Sequence, residues 1–303
     1  MQNIAVCIPT YRRPELLTKT LQSIVDNDLK GSPIGKVDIV VVDNDTDRTA
    51  ESTVRSFRVS KESCFKVHYH NFGQKGLAKV RNALIERALA LQPHFVVFID
   101  DDEYASSTWL KELVNSANQQ HLDLVMGPVS SVFGQALPEY LTSWFKQPEP
   151  DTNQEVKHIA SNNLLIRTDF LLRSGIRFDQ RFNTTGAEDT YFGIEAKKFG
   201  AKIGWSTKAL VYESVLENRT TLNWLLKRRY RGAMTYSYIL ILEKQYLQAT
   251  KKAITSVAYL FMGFAGLLYL PFNTKNKYWG ILRISEGIGG LSGLFSIKYH
   301  EYK

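Results

Sequence analysis

The sequence predicts an α/β protein with a mostly parallel central sheet, closed by an apolar helical hairpin. Three observations carry this. Short β-branched runs alternate with segments of helical spacing; the runs end in polar or acidic clusters; and residues 253–272 contain no charged side chain. That last stretch, about 20 residues, is long enough to cross a bilayer as a helix.

Residues 3–8 form an apolar run closed by Pro9 and Thr10, which reads as a strand. Residues 14–25 place Leu16, Leu17, Leu21 and Ile24 at helical spacing, with Pro14 in the first turn. Residues 37–42 are β-branched apart from Asp38, as expected of a buried parallel strand, and Asp43 ends the run. A helix over 47–57, a brief strand over 67–70, a helix over 76–91 and a buried strand over 95–99 come next. Beyond them lie a helix at 109–121, a strand at 122–128, a polar loop at 147–155, a strand at 160–167, a helical turn at 170–174 and a helix at 190–199.

In such a sheet, ligands bind beyond the carboxyl ends of the strands. Three polar clusters fall at those ends: Thr10-Tyr11-Arg12-Arg13, Asp43-Asn44-Asp45 and Asp100-Asp101-Asp102-Glu103. Adjacent carboxylates repel one another and raise one another's pKa. A divalent cation removes that penalty, and hard oxygen ligands suit Mg²⁺ or Mn²⁺. A solvated acidic turn capping the next helix is the alternative, since Ser106 and Ser107 are also available.

Composition narrows the partners. Hydrophobic residues are 44% and charged residues 22% of the 303, which places the chain among folded globular proteins rather than disordered ones. The net charge of +8 suits an anionic membrane surface or a phosphate-bearing substrate. No dense Lys/Arg block with interleaved aromatics occurs, so nucleic acid is not expected. Cys7 and Cys64 show neither metal-site nor disulfide spacing, which points to a reducing compartment. Residues 1–9 enter a strand without the pattern of a secretory signal, so the expected location is cytoplasmic.

The tail differs in character. Lys251 and Lys252 precede the uncharged stretch, and Lys275 and Lys277 follow it. A second apolar, Gly-rich run covers 279–297, interrupted by Arg283 and Glu286, and Tyr259, Tyr269, Tyr278 and Trp279 suit an interfacial belt. The division expected is a catalytic domain over 1–235 and a helical, membrane-associated region over 236–303. A re-entrant or interfacial hairpin is favoured over a full crossing.

Taken in order, these segments resemble the family 2 glycosyltransferases, which have the Rossmann-like GT-A fold. The resemblance runs from about Ile4 to Gly232 and rests on Cys7-Ile8-Pro9-Thr10-Tyr11-Arg12-Arg13, Val40-Val41-Val42-Asp43-Asn44, the segment from Gly76 to Asn82, and Asp100-Asp101-Asp102 as the Asp-x-Asp motif. It implies transfer of a sugar from a nucleoside-diphosphate sugar. Pro9, Thr10, Tyr11 and Arg13 would line the nucleotide, and Asp43 would accept hydrogen bonds from its base. Arg81 belongs to the segment closing over the nucleotide, and Asp100 and Asp101 would contact the donor. Asp102 would be the principal ligand of Mn²⁺ or Mg²⁺, with Asp100 in support.

The same resemblance gives Gly186-Ala187-Glu188-Asp189-Thr190 as the Glu-Asp motif at a helix start. Asp189 is expected to be the base that deprotonates the acceptor hydroxyl, with Glu188 binding the acceptor or replacing it as base. One displacement inverts the anomeric centre. Acids complementing a helix dipole are the structural alternative. Arg228 or Arg229, in the basic helical run 224–232, is expected to reach the diphosphate. Many relatives carry a His after the preceding strand; Glu213 stands in the corresponding region, which puts that contact in doubt.

Residues 219–232 are most similar to enzymes of bacterial exopolysaccharide assembly of the succinoglycan type. A glycan on a polyprenyl-diphosphate carrier, at the cytoplasmic face of the inner membrane, is therefore the expected acceptor. Two rivals keep a related fold: an inactive nucleotide-sugar-binding protein, and a nucleotidyltransferase. Both acidic pairs, Asp100/Asp102 and Glu188/Asp189, are intact, which argues against the first. Pro9-Thr10-Tyr11-Arg12-Arg13 has no glycine, which argues against the second.

Overall fold

The structure is a computed structural model that describes residues 1–60, 62–145, 156, 158–268 and 278–301. It opens with β1 (Gln2–Thr10), α1 (Pro14–Val25), β2 (Ile34–Asp43), α2 (Glu51–Ser56), β3 (Phe65–Asn71), α3 (Leu77–Leu89) and β4 (Phe95–Ile99). Next come β5 (Glu103–Ala105), α4 (Trp109–Gln119), β6 (Leu124–Met126), β7 (Val129–Phe133), α5 (Glu139–Phe145) and β8 (Asn163–Arg167). The remainder is α6 (Thr168–Ser174), α7 (Glu188–Lys198), β9 (Ile203–Trp205), β10 (Val211–Val215), α8 (Leu222–Leu242), α9 (Tyr246–Leu268) and α10 (Trp279–Leu294). The loop expected over 147–155 and the end of the uncharged stretch, 269–272, lie outside the described residues.

The chain forms two compact units: Met1–Val132 with Pro148–Asn183 and Glu188–Ser214, and Phe133–Gln147 with Thr184–Ala187 and Val215–Lys303. In the first, seven strands run in the order β3-β2-β1-β4-β8-β6-β9. All neighbours are parallel except β8, which is antiparallel to both β4 and β6. Strand alternation sorts the core into two layers. Ile4, Val6 and Ile8 face one layer with Leu17 and Leu21 of α1, and Ala5 and Cys7 face the other with Leu84 and Ala88 of α3. The first four strands and three helices thus follow the expected pattern, with α2 shorter than expected because residues 43–50 fold into a hydrogen-bonded turn.

The strand expected over 122–128 is shorter, β6 (Leu124–Met126) in the main sheet, and after it the chain enters a small sheet ordered β5-β10-β7, in which β7 was not expected. Gly127 stands at the break, where a Cβ would collide with the Ala209 carbonyl. Trp109, fully buried, donates its indole N–H to Asn163 Oδ1 at 2.8 Å, and Asn163 donates to the Pro128 and Ala209 carbonyls.

The second unit is mainly three long helices. Glycines of α10 let it pack closely on two partners. Gly289 and Gly293 seat on the backbone at Tyr230 and Met234 of α8, and Gly287 and Gly290 on Ser256 of α9. Ascending contacts make α10 parallel to α8, and reversed ones make it antiparallel to α9. Position 235, the expected division of the chain, falls inside α8.

Candidate active site

The carboxyl ends of β1, β2 and β4 are neighbours because β1 pairs in parallel with both other strands. That register gathers all three strand-end clusters. Thr10 donates its hydroxyl to Asp101 Oδ2 at 2.8 Å, and the Tyr11 backbone N–H donates to the same oxygen at 3.4 Å. Arg13 Nη1 reaches Asp101 Oδ1 at 3.0 Å and Asp102 Oδ2 at 2.9 Å. Arg12, in a left-handed conformation (φ 56°), pairs with Asp45 at 3.0 Å and Asp47 at 2.8 Å. The Tyr11 ring is exposed, while Pro9 continues β1 opposite Val42.

The acidic turn after β4 is largely buried: Asp101 and Asp102 are each 5% exposed and Glu103 2%. Burial pushes the Asp101 carboxyl up to about 6, with Arg13 opposing the shift and Asp102 adding to it. Burial, then the neighbouring Asp100, raises Glu103 well above the usual carboxylate range. Its oxygens accept from the Asp100 backbone N–H at 2.9 Å and from Asn162 at 2.8 Å. Thr20 braces the turn from α1, its hydroxyl lying 3.0 Å from the Asp101 carbonyl and 2.5 Å from that of Glu103.

Arg81 of α3 links this turn to the Glu-Asp motif. Its guanidinium pairs with Glu188 Oε1 and approaches Asp100 Oδ1 at 3.4 Å. Glu188 is 3% exposed, and its Oε2 has no hydrogen-bond partner among the described residues. Burial drives its carboxyl up to about 7; Arg81 pulls it down and Asp189 pushes it up. Asp189 is half-buried in the first turn of α7 and accepts from the Thr190 backbone N–H at 2.6 Å.

Not every expected residue joins this group. Asp43 is fully buried, and its carboxylate accepts from the backbone N–H groups of Asp45 and Ala50 and from the Tyr69 hydroxyl, each at 3.0 Å. It organises the turn after β2, and Asn71 closes that turn by donating to the Asp45 carbonyl at 2.7 Å. Arg228 and Arg229 belong to α8 in the second unit. Arg228 is exposed, and Arg229 pairs with Glu286 at 2.5 Å and lies over the Trp144 ring at 4.8 Å.

Glu213, by contrast, sits beside the acidic turn: it stands opposite Glu103 in the β10–β5 pairing, and Ser214 N–H donates to the Asp102 carbonyl at 2.8 Å. Thr20, Asn162 and Lys19, whose ammonium lies 3.6 Å above the Tyr104 ring, were not singled out from the sequence. For Thr20 a signal existed, since it shares the buried face of α1 with Leu17, Leu21 and Ile24. Asn162 and Lys19 carry no pattern that marks them.

The donor set at the β4 end fits a nucleotide-associated Mg²⁺ or Mn²⁺. Asp100 and Asp102 supply hard carboxylate oxygens, and such an ion takes only one or two protein carboxylates, the rest coming from phosphates and water. Among the described residues, no three His, Cys, Asp or Glu side chains form a self-contained metal site.

Residues 5–175 match the family described as Glycosyl transferase family 2. The chain is 30% identical over 299 residues to the succinoglycan biosynthesis protein ExoM of Rhizobium meliloti, covering 98% of this chain and 93% of that one. It is 28% identical to the poly(ribitol-phosphate) beta-N-acetylglucosaminyltransferase TarS of Staphylococcus aureus, over 72% of this chain but only 36% of the relative. The crystal structure of TarS 1–349 in complex with UDP-GlcNAc superposes with a TM-score of 0.55 at 21% identity, over 98% and 84% of the two chains. The mannosyltransferase PcManGT from Pyrobaculum calidifontis, in complex with GDP-Man and Mn²⁺, gives 0.61 at 16% identity, over 97% and 87%. The matched region runs from within β1 through the acidic turn, and the fold around that turn is shared with structures of GT-A type; the chain belongs to glycosyl transferase family 2.

Proposed function

We propose that this glycosyltransferase moves a sugar, with inversion, from a nucleoside-diphosphate sugar to a hydroxyl of a polyprenyl-diphosphate-linked glycan in bacterial surface polysaccharide assembly. The observation that carries the reading is the chain of contacts Arg13–Asp102, Asp100–Arg81 and Arg81–Glu188, which ties the strand-end carboxylates to the Glu-Asp motif within one unit. The similarity to ExoM supports the polysaccharide setting.

Asp102 and Asp100 would hold Mn²⁺ or Mg²⁺. The ion, when bound, offsets the charge that develops on the departing diphosphate. Arg13 holds Asp101 and Asp102 in place, and Arg81 holds Glu188 and braces Asp100. Asp189 takes the proton from the acceptor hydroxyl as that oxygen attacks the anomeric carbon on the face opposite the leaving group. Glu188, with one oxygen on Arg81, presents its other oxygen for an acceptor hydroxyl. The base and the leaving group lie on opposite faces of the sugar, so the displacement inverts.

Membrane contact at the cytoplasmic face is part of the same reading. One side of α9 carries Ile254, Val257, Phe261, Phe264 and Leu268, all exposed, with Phe261 at 72% and Leu268 at 79%. No charged side chain occurs from Ala253 to Leu268, and α9 is long and apolar enough to be a candidate span. Its opposite side is occupied by the glycine face of α10, which also carries Arg283 and Glu286. Lying in the interface suits that arrangement better than crossing, because it leaves the charged pair outside the hydrocarbon.

The test is a nucleotide-sugar panel with Mn²⁺ or Mg²⁺ and membrane-extracted lipid acceptors, read as nucleoside diphosphate release. Release with one donor, lost in Asp102→Ala and Asp189→Asn, is expected. Release that persists in both variants would sink the assignment of these residues.

A further inference from the structure

We propose that the segment after α10, residues 298–301, is a strap that fixes the loop Thr184–Ala187 and thereby positions Glu188 and Asp189 for acceptor chemistry. This rests on the transferase reading above and adds Arg231, His300 and Glu301 to it as positioning residues.

The loop needs external support. Gly186 (φ 74°) and Ala187 (φ 71°) are consecutive left-handed residues, and Ala187 has a Cβ that disfavours this region. Such conformations persist only where the surroundings over-determine them. The next residue is Glu188, the first of α7, so any shift of the loop is passed along the backbone into the Glu-Asp motif.

The support is at hand within the same unit. The Glu301 backbone N–H donates to the Thr184 carbonyl at 2.9 Å, and Thr184 Oγ1 lies 2.6 Å from His300 Nδ1. Glu301 is held from the other side by the buried guanidinium of Arg231 on α8. Tyr299 stacks edge-on against Tyr230, with centroids 6.0 Å apart, and Lys298 sits 4.2 Å above the Tyr238 ring. The segment is thus threaded along α8 by alternating contacts and ends on the loop. It follows α10 within a few residues, so α10 is connected to the loop Thr184–Ala187 by a short chain of hydrogen bonds inside one unit.

The experiment uses the full chain with His300→Ala or Glu301→Gln. His300 is exposed, so its removal leaves the core untouched, and Glu301→Gln keeps the backbone hydrogen bond while removing the charge. Hydrogen–deuterium exchange and steady-state transfer kinetics are measured against wild type, with the donor selected by the panel. The expected result is exchange about fivefold faster, confined to residues 183–191. With it goes a kcat about tenfold lower, at unchanged donor KM and unchanged melting temperature. Unchanged exchange in that stretch overturns the strap. Faster exchange at wild-type kcat overturns its positioning role, as does a parallel loss of donor affinity, kcat and melting temperature. Should wild type transfer no sugar from any donor, the transferase reading fails, and the exchange result still decides the strap.

Discussion

Replacing Arg81 by Met is the most informative perturbation of the site. Arg81 and Glu188 are 7% and 3% exposed, so the substitution strands a carboxylate in the interior. Removing one partner of a buried pair costs about 3–5 kcal/mol when the other must stay charged. Glu188 has an escape, because burial already holds its carboxyl up to about 7 and Arg81 is the group pulling it down. Without Arg81 the carboxyl titrates higher still and stays protonated. The sign follows from proton binding: a carboxyl raised in the folded state contributes fully below its unfolded pKa and loses that contribution as pH rises through the folded one. At about pH 5.5 Glu188 is mostly neutral in both proteins, and the loss is near that of one hydrogen bond, about 1 kcal/mol. At about pH 8.5 wild type has an ion pair while the variant's carboxyl is still protonated, so the loss grows by about 1.4 kcal/mol for each pH unit above the wild-type midpoint of about 7, about 2 kcal/mol in all. Urea unfolding at both pH values, followed by circular dichroism and tryptophan fluorescence, measures this. Equal losses at the two pH values would refute the account of Glu188, and a loss well under 1 kcal/mol at the higher pH would refute the pair altogether.

Two further outcomes are expected. Phe261→Glu with Phe264→Glu removes two exposed aromatic rings, each contributing about 1.5–3 kcal/mol when buried in lipid, and should weaken partition into anionic vesicles at least tenfold in a flotation assay while leaving the melting temperature unchanged. Thr20→Val deletes the hydroxyl that bonds the Asp101 and Glu103 carbonyls, and should cost about 1–3 kcal/mol in unfolding and weaken donor binding measured by calorimetry.

Much of the fold was legible because its first half is regular. β1, β2 and β4 carry apolar runs (4–8, 39–42 and 95–99) that lead into Thr10, Asp43 and Asp100, and α1 matches the predicted span residue for residue. Legibility falls off where short strands depend on distant partners. β5 has three residues and exists by pairing with β10, more than a hundred positions later, a relation no local period reveals. β7 lies beyond the strand expected over 122–128 and has no apolar run to mark it, since Ser130 and Ser131 interrupt it; the close approach of Ala209 at Gly127 separates it from β6. The candidate site shows the same contrast. Its acids announced themselves at strand ends, whereas the Arg81–Glu188 contact joins a helix to a helix start across the fold. Asp43 was legible as a strand-end acid, but its commitment to Asp45, Ala50 and Tyr69 depends on a turn geometry that the letters do not specify.

The acidic turn itself explains why the site needs its two arginines. Asp100, Asp101, Asp102, Glu103 and Glu188 would form an intolerable concentration of charge if all were ionised in so buried a place. Two devices lower it. Arg13 bridges Asp101 and Asp102, and Arg81 bridges Asp100 and Glu188, so each guanidinium serves two carboxyls. Asp101, Glu103 and Glu188 have raised pKa values, so protons supply the rest. Asp101 and Glu103 also take hydrogen bonds from Thr10 and Asn162, which commits alternate members of the turn to holding it together. The remaining alternate pair, Asp100 and Asp102, is then the one a divalent cation would address. Its arrival adds positive charge where protons had been standing in, so cation binding and deprotonation of this cluster favour one another. The same logic makes either arginine a poor candidate for replacement by lysine, since a point charge on a flexible stem does not span two carboxyls as a planar fork does.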